Sequence, residues 1–347
     1  MIVQAIAKLV EGYALTPEEV AACVSEMADG QATPSQMAAF LTALRIRGES
    51  PEVLAAMARV MRERAVRVRA GDGAIDTCGT GGDSLKTVNA STIAALVVAA
   101  AGGKVAKHGN RSFTGHTGSA DILEELGVNV GVGPEVVERS IESTGFGFML
   151  APLYHPSMRN VSGVRREIGI RTAFNLIGPL SNPARVRRQT VGVPSPQLVP
   201  VISEALLHLG LEVAAVYHGL IGIDEVSPCS PTEVAWLEQG EVRRAVLNPV
   251  DFGMEPADPK RLVVRDREEA VRRTKRLISG DAGRDDPDAK LVVCNASVAL
   301  VVAGIADDLE YGAELSWEVL TSGKLLSVLR QVIGITGGDP SRLEGLT

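Results

Sequence analysis

Apolar residues recur at helical spacing through the first 65 positions, then give way to short apolar runs separated by longer helical patterns. In the first part Val20, Cys23, Val24 and Met27, then Met37, Phe40, Leu41 and Leu44, each mark one helix face. The helix starts are punctuated too. Thr16-Pro17-Glu18-Glu19 and Thr33-Pro34-Ser35-Gln36 each give an N-cap hydroxyl, proline at the first helical position, and Glu or Gln three after the cap. Ser50-Pro51 opens another helix without the third element. No cluster of catalytic side chains accompanies them. The reading is a small helical domain that packs, dimerises or both.

From Gly71 the pattern becomes strand, helix, strand, helix. Candidate strands are Ala74–Cys78, Lys104–Ala106, Gln189–Val193, Val213–His218 and Lys290–Cys294. Several are near-continuous apolar runs, which predicts an α/β fold with a mainly parallel sheet covered by helices on both faces. The expected division is a small helical domain over residues 1–68 and a large α/β domain over 69–347, with 155–185 returning to the small one. Arg165-Arg166, Arg171 and Gly178-Pro179 mark that connector, read as placing Arg165 over the cleft between domains. Residues 231–250 read as a peripheral hairpin turning at Gln239-Gly240. The charge run Arg265–Arg276 reads as a solvated helix face, and the tail after Gly334 as loosely ordered.

Composition narrows the function classes. With 347 residues and 45% hydrophobic content the chain can build a full-size core. A net charge of −7 and 3% aromatics argue against nonspecific nucleic-acid binding, which needs a basic surface and stacking platforms. Cys23, Cys78, Cys229 and Cys294 are scattered without CxxC spacing, so a reducing, cytoplasmic setting is expected, with neither a disulfide framework nor a zinc site. Met1–Leu15 is too short and polar for a signal peptide or a span. No Ser or Cys nucleophile elbow is present.

The densest chemistry lies in Asp76–Glu124, which carries two strand-to-helix turns. Gly79-Thr80-Gly81-Gly82-Asp83 precedes a helix opened by Asn89-Ala90-Ser91-Thr92. Glycines let backbone N–H groups turn inward, and a helix start adds free N–H donors and a positive dipole end. Lys107-His108-Gly109-Asn110-Arg111 forms the second turn and brings two fixed cations, followed by Ser112, Thr114, Thr117 and Ser119. A single GTGG is ordinarily a tight turn. Two such turns with Lys107 and Arg111 point to a ligand bearing more than one phosphate. At the exit of a later strand, His218–Gly222 runs into Asp224-Glu225, an acidic pair of a kind that is usually solvated or capping.

The pattern GTGGD, NxST, KHGNR and GSAD, followed in order by VRREIGIRTAFNLIGPLSNP and HGLIGIDEV, resembles the anthranilate phosphoribosyltransferases of tryptophan biosynthesis over nearly the whole chain. The resemblance implies magnesium-dependent transfer of a phosphoribosyl group from 5-phosphoribosyl 1-pyrophosphate (PRPP) to anthranilate, in a homodimer joined through the helical domain. It implies PRPP binding by Gly79, Gly82, Asp83, Thr87, Asn89, Ser91, Thr92, Lys107 and Ser119, and anthranilate binding by Gly79, Asn110 and Arg165. It implies Mg2+ ligation by Ser91, Asp224 and Glu225, and assigns no side chain as acid, base or nucleophile. Asp83 either shapes its loop or meets magnesium through water. For Arg165 a surface pair with Glu167 competes evenly with substrate binding on sequence alone, and the resemblance favours the substrate.

His108 is expected to border the site, and His155 to lie near the cleft or make a structural hydrogen bond. His208 reads as packing or surface and His218 as architectural. His116 departs from the family, where lysine is common, and puts the pH dependence of substrate affinity in doubt; SPCSPTEV departs from the more usual SLTGPT. A pyrimidine nucleoside phosphorylase of the same architecture, with a similar GHTGG turn, is the alternative enzyme. A nucleic-acid-binding paralogue is the non-catalytic one, and the negative charge opposes it.

Overall fold

The structure is a computed structural model and describes residues 1–81, 85–112 and 117–346. Helices α1 (Ile2–Val10), α2 (Pro17–Ala28), α3 (Pro34–Arg47) and α4 (Pro51–Arg64) open the chain. Both capping boxes form: Thr16 Oγ1 accepts from Glu19 N–H at 3.3 Å and Glu19 returns to Thr16 N–H at 3.0 Å, and Thr33 and Gln36 do the same. Each box satisfies donors that the first helical turn would leave orphaned.

There follow β1 (Ile75–Gly79), α5 (Ala90–Ala100), β2 (Val105–Gly109), α6 (Ser119–Glu125), α7 (Pro134–Thr144) and β3 (Phe146–Leu150). The connector holds α8 (Ala151–Tyr154), α9 (Arg159–Ile168) and α10 (Ile177–Leu180). Then come β4 (Arg188–Gly192), α11 (Leu198–His208), β5 (Val213–Gly219), β6 (Thr232–Glu238) and β7 (Glu241–Leu247). The chain ends with α12 (Pro259–Leu262), α13 (Arg267–Ser279), α14 (Pro287–Ala303), α15 (Leu309–Thr321) and α16 (Lys324–Thr336). Among the described residues the strands form one sheet in the order β3-β2-β1-β4-β5-β6-β7, parallel except for the last two pairings.

Side chains alternate between the two faces, as the period of two requires. Ile75, Phe146, Phe148, Ala215 and Tyr217 pack on α5, α14, α15 and α16. Cys78, Val191, Ala214 and Val216 pack on the opposite side, in one buried cluster with α11 and the first four helices. Val161 and Val164 of α9, with Phe174 and Leu180, join that cluster, and Asn160 Nδ2 donates to Ala28 O at 2.8 Å. The connector is thus packed on the N-terminal helices.

Three expectations change and one gains detail. Lys290–Cys294 is not a strand but the middle of α14, which is buried nearly all round; β-branched residues there read as strand because no polar face betrays the helical period. β3 carries no separating polar positions and escaped notice. The hairpin does turn at Gln239-Gly240, both with positive φ, and is peripheral, but it is no separate ribbon: it forms the outer edge of the central sheet, joined through β5. The tail is ordered by packing: α16 runs to Thr336, Asp339 N–H donates to Gly127 O at 2.8 Å, and Leu343 is buried.

The charge run on α13 is only partly solvated. Arg273 meets the buried Asp288 through two bonds of 2.6 and 2.5 Å. Removing one partner of such a pair strands the other charge, so Arg273→Ala should cost about 3–5 kcal/mol. Arg272→Ala, on the exposed side of the same helix, should stay within about 0.5 kcal/mol. Chemical unfolding of both variants measures the contrast; equal effects would mean that the Arg273 pair is no more than a surface contact.

Candidate active site

Ligands of an open α/β sheet lie beyond the carboxyl ends of the strands, where the winding direction reverses. Here that place is between β1 and β4, and the loops after β1, β2, β4 and β5 converge on it. Gly81 N–H donates to Asp224 Oδ2 at 3.0 Å, and Ser91 N–H, in the first turn of α5, donates to Glu225 Oε1 at 3.3 Å. The acidic pair therefore bridges the first glycine turn and the start of the following helix.

Two glycines make this approach possible. A Cβ on Gly79 would stand 2.8 Å from Asp224 Oδ2, and one on Gly192 would stand 1.7 Å from Asp224 O. The first was expected as a ligand-side residue. Gly192 was missed; its only signal was a glycine closing an apolar strand, VG at the end of β4.

Other expected residues pair off around this centre. Asn89, the N-cap of α5, spends its side chain on Thr117, donating to its carbonyl at 3.0 Å and accepting from its hydroxyl at 2.7 Å. This leaves the α5 start uncapped by side chain and joins it to the second turn. Ser119 Oγ donates to Asn110 O at 3.3 Å, and Thr87 Oγ1 to Val88 O at 3.2 Å. Thr92 is buried with its hydroxyl unpartnered among the described residues, an orphan that an oxygen bound at the helix start would satisfy. Gly82, Asp83, Thr114 and His116 lie outside the described residues.

The two fixed cations of the second turn part company. Arg111 is exposed and paired with Glu124 at 2.6 Å. Lys107 is 1% exposed, donates to the Thr77 carbonyl, and lies 3.3 Å from Thr77 Oγ1 and 3.5 Å from Ser91 Oγ. Its charge acts from beneath the α5 start. Burial lowers its affinity for the proton, and Asp76 opposes that.

On the connector, Arg165 is half-buried with its guanidinium 5.6 Å from the centre of the Phe174 ring, and among the described residues no ion pair joins it to Glu167. Among the described residues no hydrogen bond joins Arg165 to Asn110; the connector reaches the first turn through Arg171, whose Nη2 donates to Gly81 O at 2.7 Å. In sequence Arg171 only marks the connector, with no role at the site. His218 is architectural, its Nδ1 lying 2.8 Å from Val193 O, and His208 is at the surface beside Glu52.

Two carboxylates on a loop facing a glycine turn are a fitting set for magnesium, which takes hard oxygen ligands and keeps waters and phosphate oxygens. Among the described residues no group of three His, Cys, Asp or Glu forms an all-protein cage.

The fold and site define a two-part transferase. Residues 3–65 match the helical bundle domain of a glycosyl transferase family, and residues 71–326 its a/b domain. The chain belongs to the anthranilate phosphoribosyltransferase family, and the enzyme is a glycosyltransferase. It is 47% identical to the anthranilate phosphoribosyltransferase of Anaeromyxobacter sp. (strain K), over 97% of this chain and 99% of that one. The crystal structure of the Thermus thermophilus enzyme superposes with a TM-score of 0.90 at 39% identity, covering 96% of this chain and 99% of the other. The Saccharomyces cerevisiae enzyme in complex with PRPP and Mg gives a TM-score of 0.87 at 26% identity, covering 97% and 98%. That enzyme has also been solved with 4-fluoroanthranilate.

Beneath the second turn, His108 and His155 pack edge to face with ring centroids 5.0 Å apart, both buried. Burial lowers His108 to about 3, with His155, Arg62 and Lys107 adding to it, and lowers His155 to about 4. A histidine with a depressed folded value stabilises fully above about 6.5, and that stability is lost as pH falls toward the folded value. Asp76 runs the other way: burial raises it to about 6, so the folded chain takes up its proton first. Two histidines against one carboxylate leave a net loss of about 1.4 kcal/mol per pH unit between roughly pH 6 and 4. His155→Gln should flatten that dependence in unfolding titrations; an unaltered slope would remove His155 from the account.

Proposed function

We propose that the cleft between the two glycine turns, the acidic pair and the connector is where this chain carries out its family's reaction, transfer of the phosphoribosyl group of PRPP to the amine of anthranilate with release of pyrophosphate. The observation that carries the assignment is the acidic pair: Asp224 and Glu225 reach across to the Gly81 and Ser91 N–H groups, which are the donors a phosphate would use.

In this reading Gly79, Gly82, Asp83, Thr87, Asn89, Ser91, Thr92, Lys107 and Ser119 hold PRPP, while Gly79, Asn110 and Arg165 hold anthranilate. Asp224, Glu225 and Ser91 would hold Mg2+. When bound, magnesium neutralises charge on the leaving pyrophosphate. The chain's own part is positioning and preorganised charge. Backbone N–H groups of the first turn and the α5 start face the phosphates, Lys107 adds a cation from below, and Arg165 orients the acceptor's carboxylate. No side chain is assigned as nucleophile or general base. The connector, tied to Gly81 through Arg171, brings Arg165 toward the first turn.

The proposed division is a helical domain over 1–68 and an α/β domain over 69–347, supported by the two matched families. A homodimer through the helical domain is proposed with it, because Val3, Val10 and Tyr13, near or on α1, and Ile46 at the end of α3 are exposed apolar residues on packed neighbours. A cytoplasmic setting is proposed from the four free cysteines. No described helix is long and apolar enough to cross a membrane.

The direct test follows loss of anthranilate fluorescence with purified protein, PRPP and magnesium, beside thymidine with phosphate; turnover of thymidine alone would replace this reading. Asp224→Asn with Glu225→Gln should lower turnover about a hundredfold or more, since a metal at a leaving phosphate supplies several kcal/mol, and should abolish calorimetric magnesium binding. A double variant near the wild-type rate would place the metal elsewhere.

Arg165→Ala should weaken apparent anthranilate affinity by about one to two decades, the equivalent of roughly 1.5–3 kcal/mol for a charge-assisted bond. PRPP affinity should change little. Saturation curves for each substrate read this directly, and loss of PRPP affinity with anthranilate affinity intact would reverse the assignment.

A further inference from the structure

The ladder between β1 and β2 stops early. β1 pairs with β4 from Ile75 to Gly79 and β2 with β3 from Val105 to Gly109, yet β1 pairs with β2 at Ile75↔Val105 alone. The next rung of a parallel ladder would join Thr77 N–H to Ala106 O and His108 N–H to Thr77 O. Three of those four main-chain groups are instead taken by buried side chains. His108 N–H donates to Asp76 Oδ1 at 3.2 Å, Lys107 Nζ donates to Thr77 O, and Asn182 Nδ2 donates to Ala106 O at 2.9 Å. Asn182 also donates to Asp76 Oδ2 at 2.8 Å, and Gln189 Nε2 reaches the same oxygen at 3.3 Å from the β4 side.

We propose that Asp76 is a positioning residue for phosphoribosyl transfer: with Lys107 and Asn182 it opens the rung between β1 and β2, and so sets the separation of the two turns that those strands carry. The argument runs from placement. Asp76, Lys107 and Asn182 are each 1% exposed or less, so solvent does not compete for their bonds. Three buried polar side chains bound to the main-chain groups of that rung cost desolvation that a main-chain rung would avoid. The wedge lies two to three residues before Gly79 and just before Gly109-Asn110, so widening it moves both turns. The same carboxylate draws in Asn182, near the end of the connector, which links the opening to the side from which Arg165 and Arg171 arrive. Asp76 touches no substrate in this scheme.

The inference rests on the function proposed above, and Asp76→Asn tests it separately. The amide keeps the shape and one acceptor, but turns a donor toward Asn182 and Gln189 and removes the charge beside Lys107. Gln189→Met is the comparison: it takes a bond from the same carboxylate on the β4 side without touching the opened rung. Unfolding temperature, kcat and KM for both substrates are measured well below unfolding, with magnesium saturating.

Asp76→Asn should raise the PRPP KM by about tenfold, the equivalent of one charge-assisted bond's worth of positioning, while Gln189→Met loses stability with its PRPP KM within about twofold. Both variants keeping the wild-type KM would make Asp76 purely structural and overturn the proposal. An equal rise in both would overturn it too, because general loosening would then suffice. Should Asp76→Asn fail to fold, Asn182→Ser, which withdraws the amide from Ala106 O, carries the same expectation. A wild type inactive on PRPP and anthranilate would instead fail the function, before either variant is compared.

Discussion

Two opposite charges buried on neighbouring strands, projecting from opposite faces of the sheet, are the constraint on which this molecule's site stands. Asp76 and Lys107 sit on neighbouring strands, without solvent, and each is bound to the other strand's main chain. Burial disfavours both charges, and each is the other's main relief: Lys107 is the first influence opposing the rise of Asp76, and Asp76 the first opposing the fall of Lys107. Such a pair is weak evidence of stability, since well-packed apolar residues would do as well or better. Its persistence in the sheet makes sense as geometry. It supplies a cation under the α5 start and keeps two loops apart.

The second constraint is steric and falls on glycine. The loop bearing Asp224 lies across the ends of β1 and β4, and side chains at Gly79 or Gly192 would overlap it. Missing Cβ atoms therefore serve the acidic pair as much as any phosphate. This explains how carboxylates come within hydrogen-bond distance of an N–H cradle that would otherwise attract only anions. A cation held by the acidic pair would resolve the same conflict for incoming phosphates, which is the chemical sense of placing carboxylates beside the cradle.

The connector joins the two parts of the chain by different means at its two ends. At α9 it is apolar, with Val161 and Val164 in the cluster beneath the first helices. Near its end it is polar: Arg171 reaches Gly81 O, and Asn182 enters the wedge. A continuous line of contacts thereby runs from the first helices to the first turn.

Much of this was legible along the chain because it is local. Helix starts with Thr-Pro-x-Glu/Gln are decided within four residues, and both boxes formed as read. Glycine turns after apolar strands, and the acidic pair after His218–Gly222, are local too, and the fold brings them to one edge of the sheet. What only the tertiary structure decided depends on burial, which a sequence does not display. α14 read as a strand because a fully enclosed helix loses its polar face. Lys107 looked like a free phosphate ligand, and Asp76 like an ordinary strand residue, until three strands and the end of the connector closed around them. Gly192 gained its meaning only when a loop more than thirty residues downstream came to lie on it, a contact that no local pattern encodes. Local backbone preferences wrote the elements and turns; the long-range exclusion of water and of Cβ atoms chose which of their residues became the site.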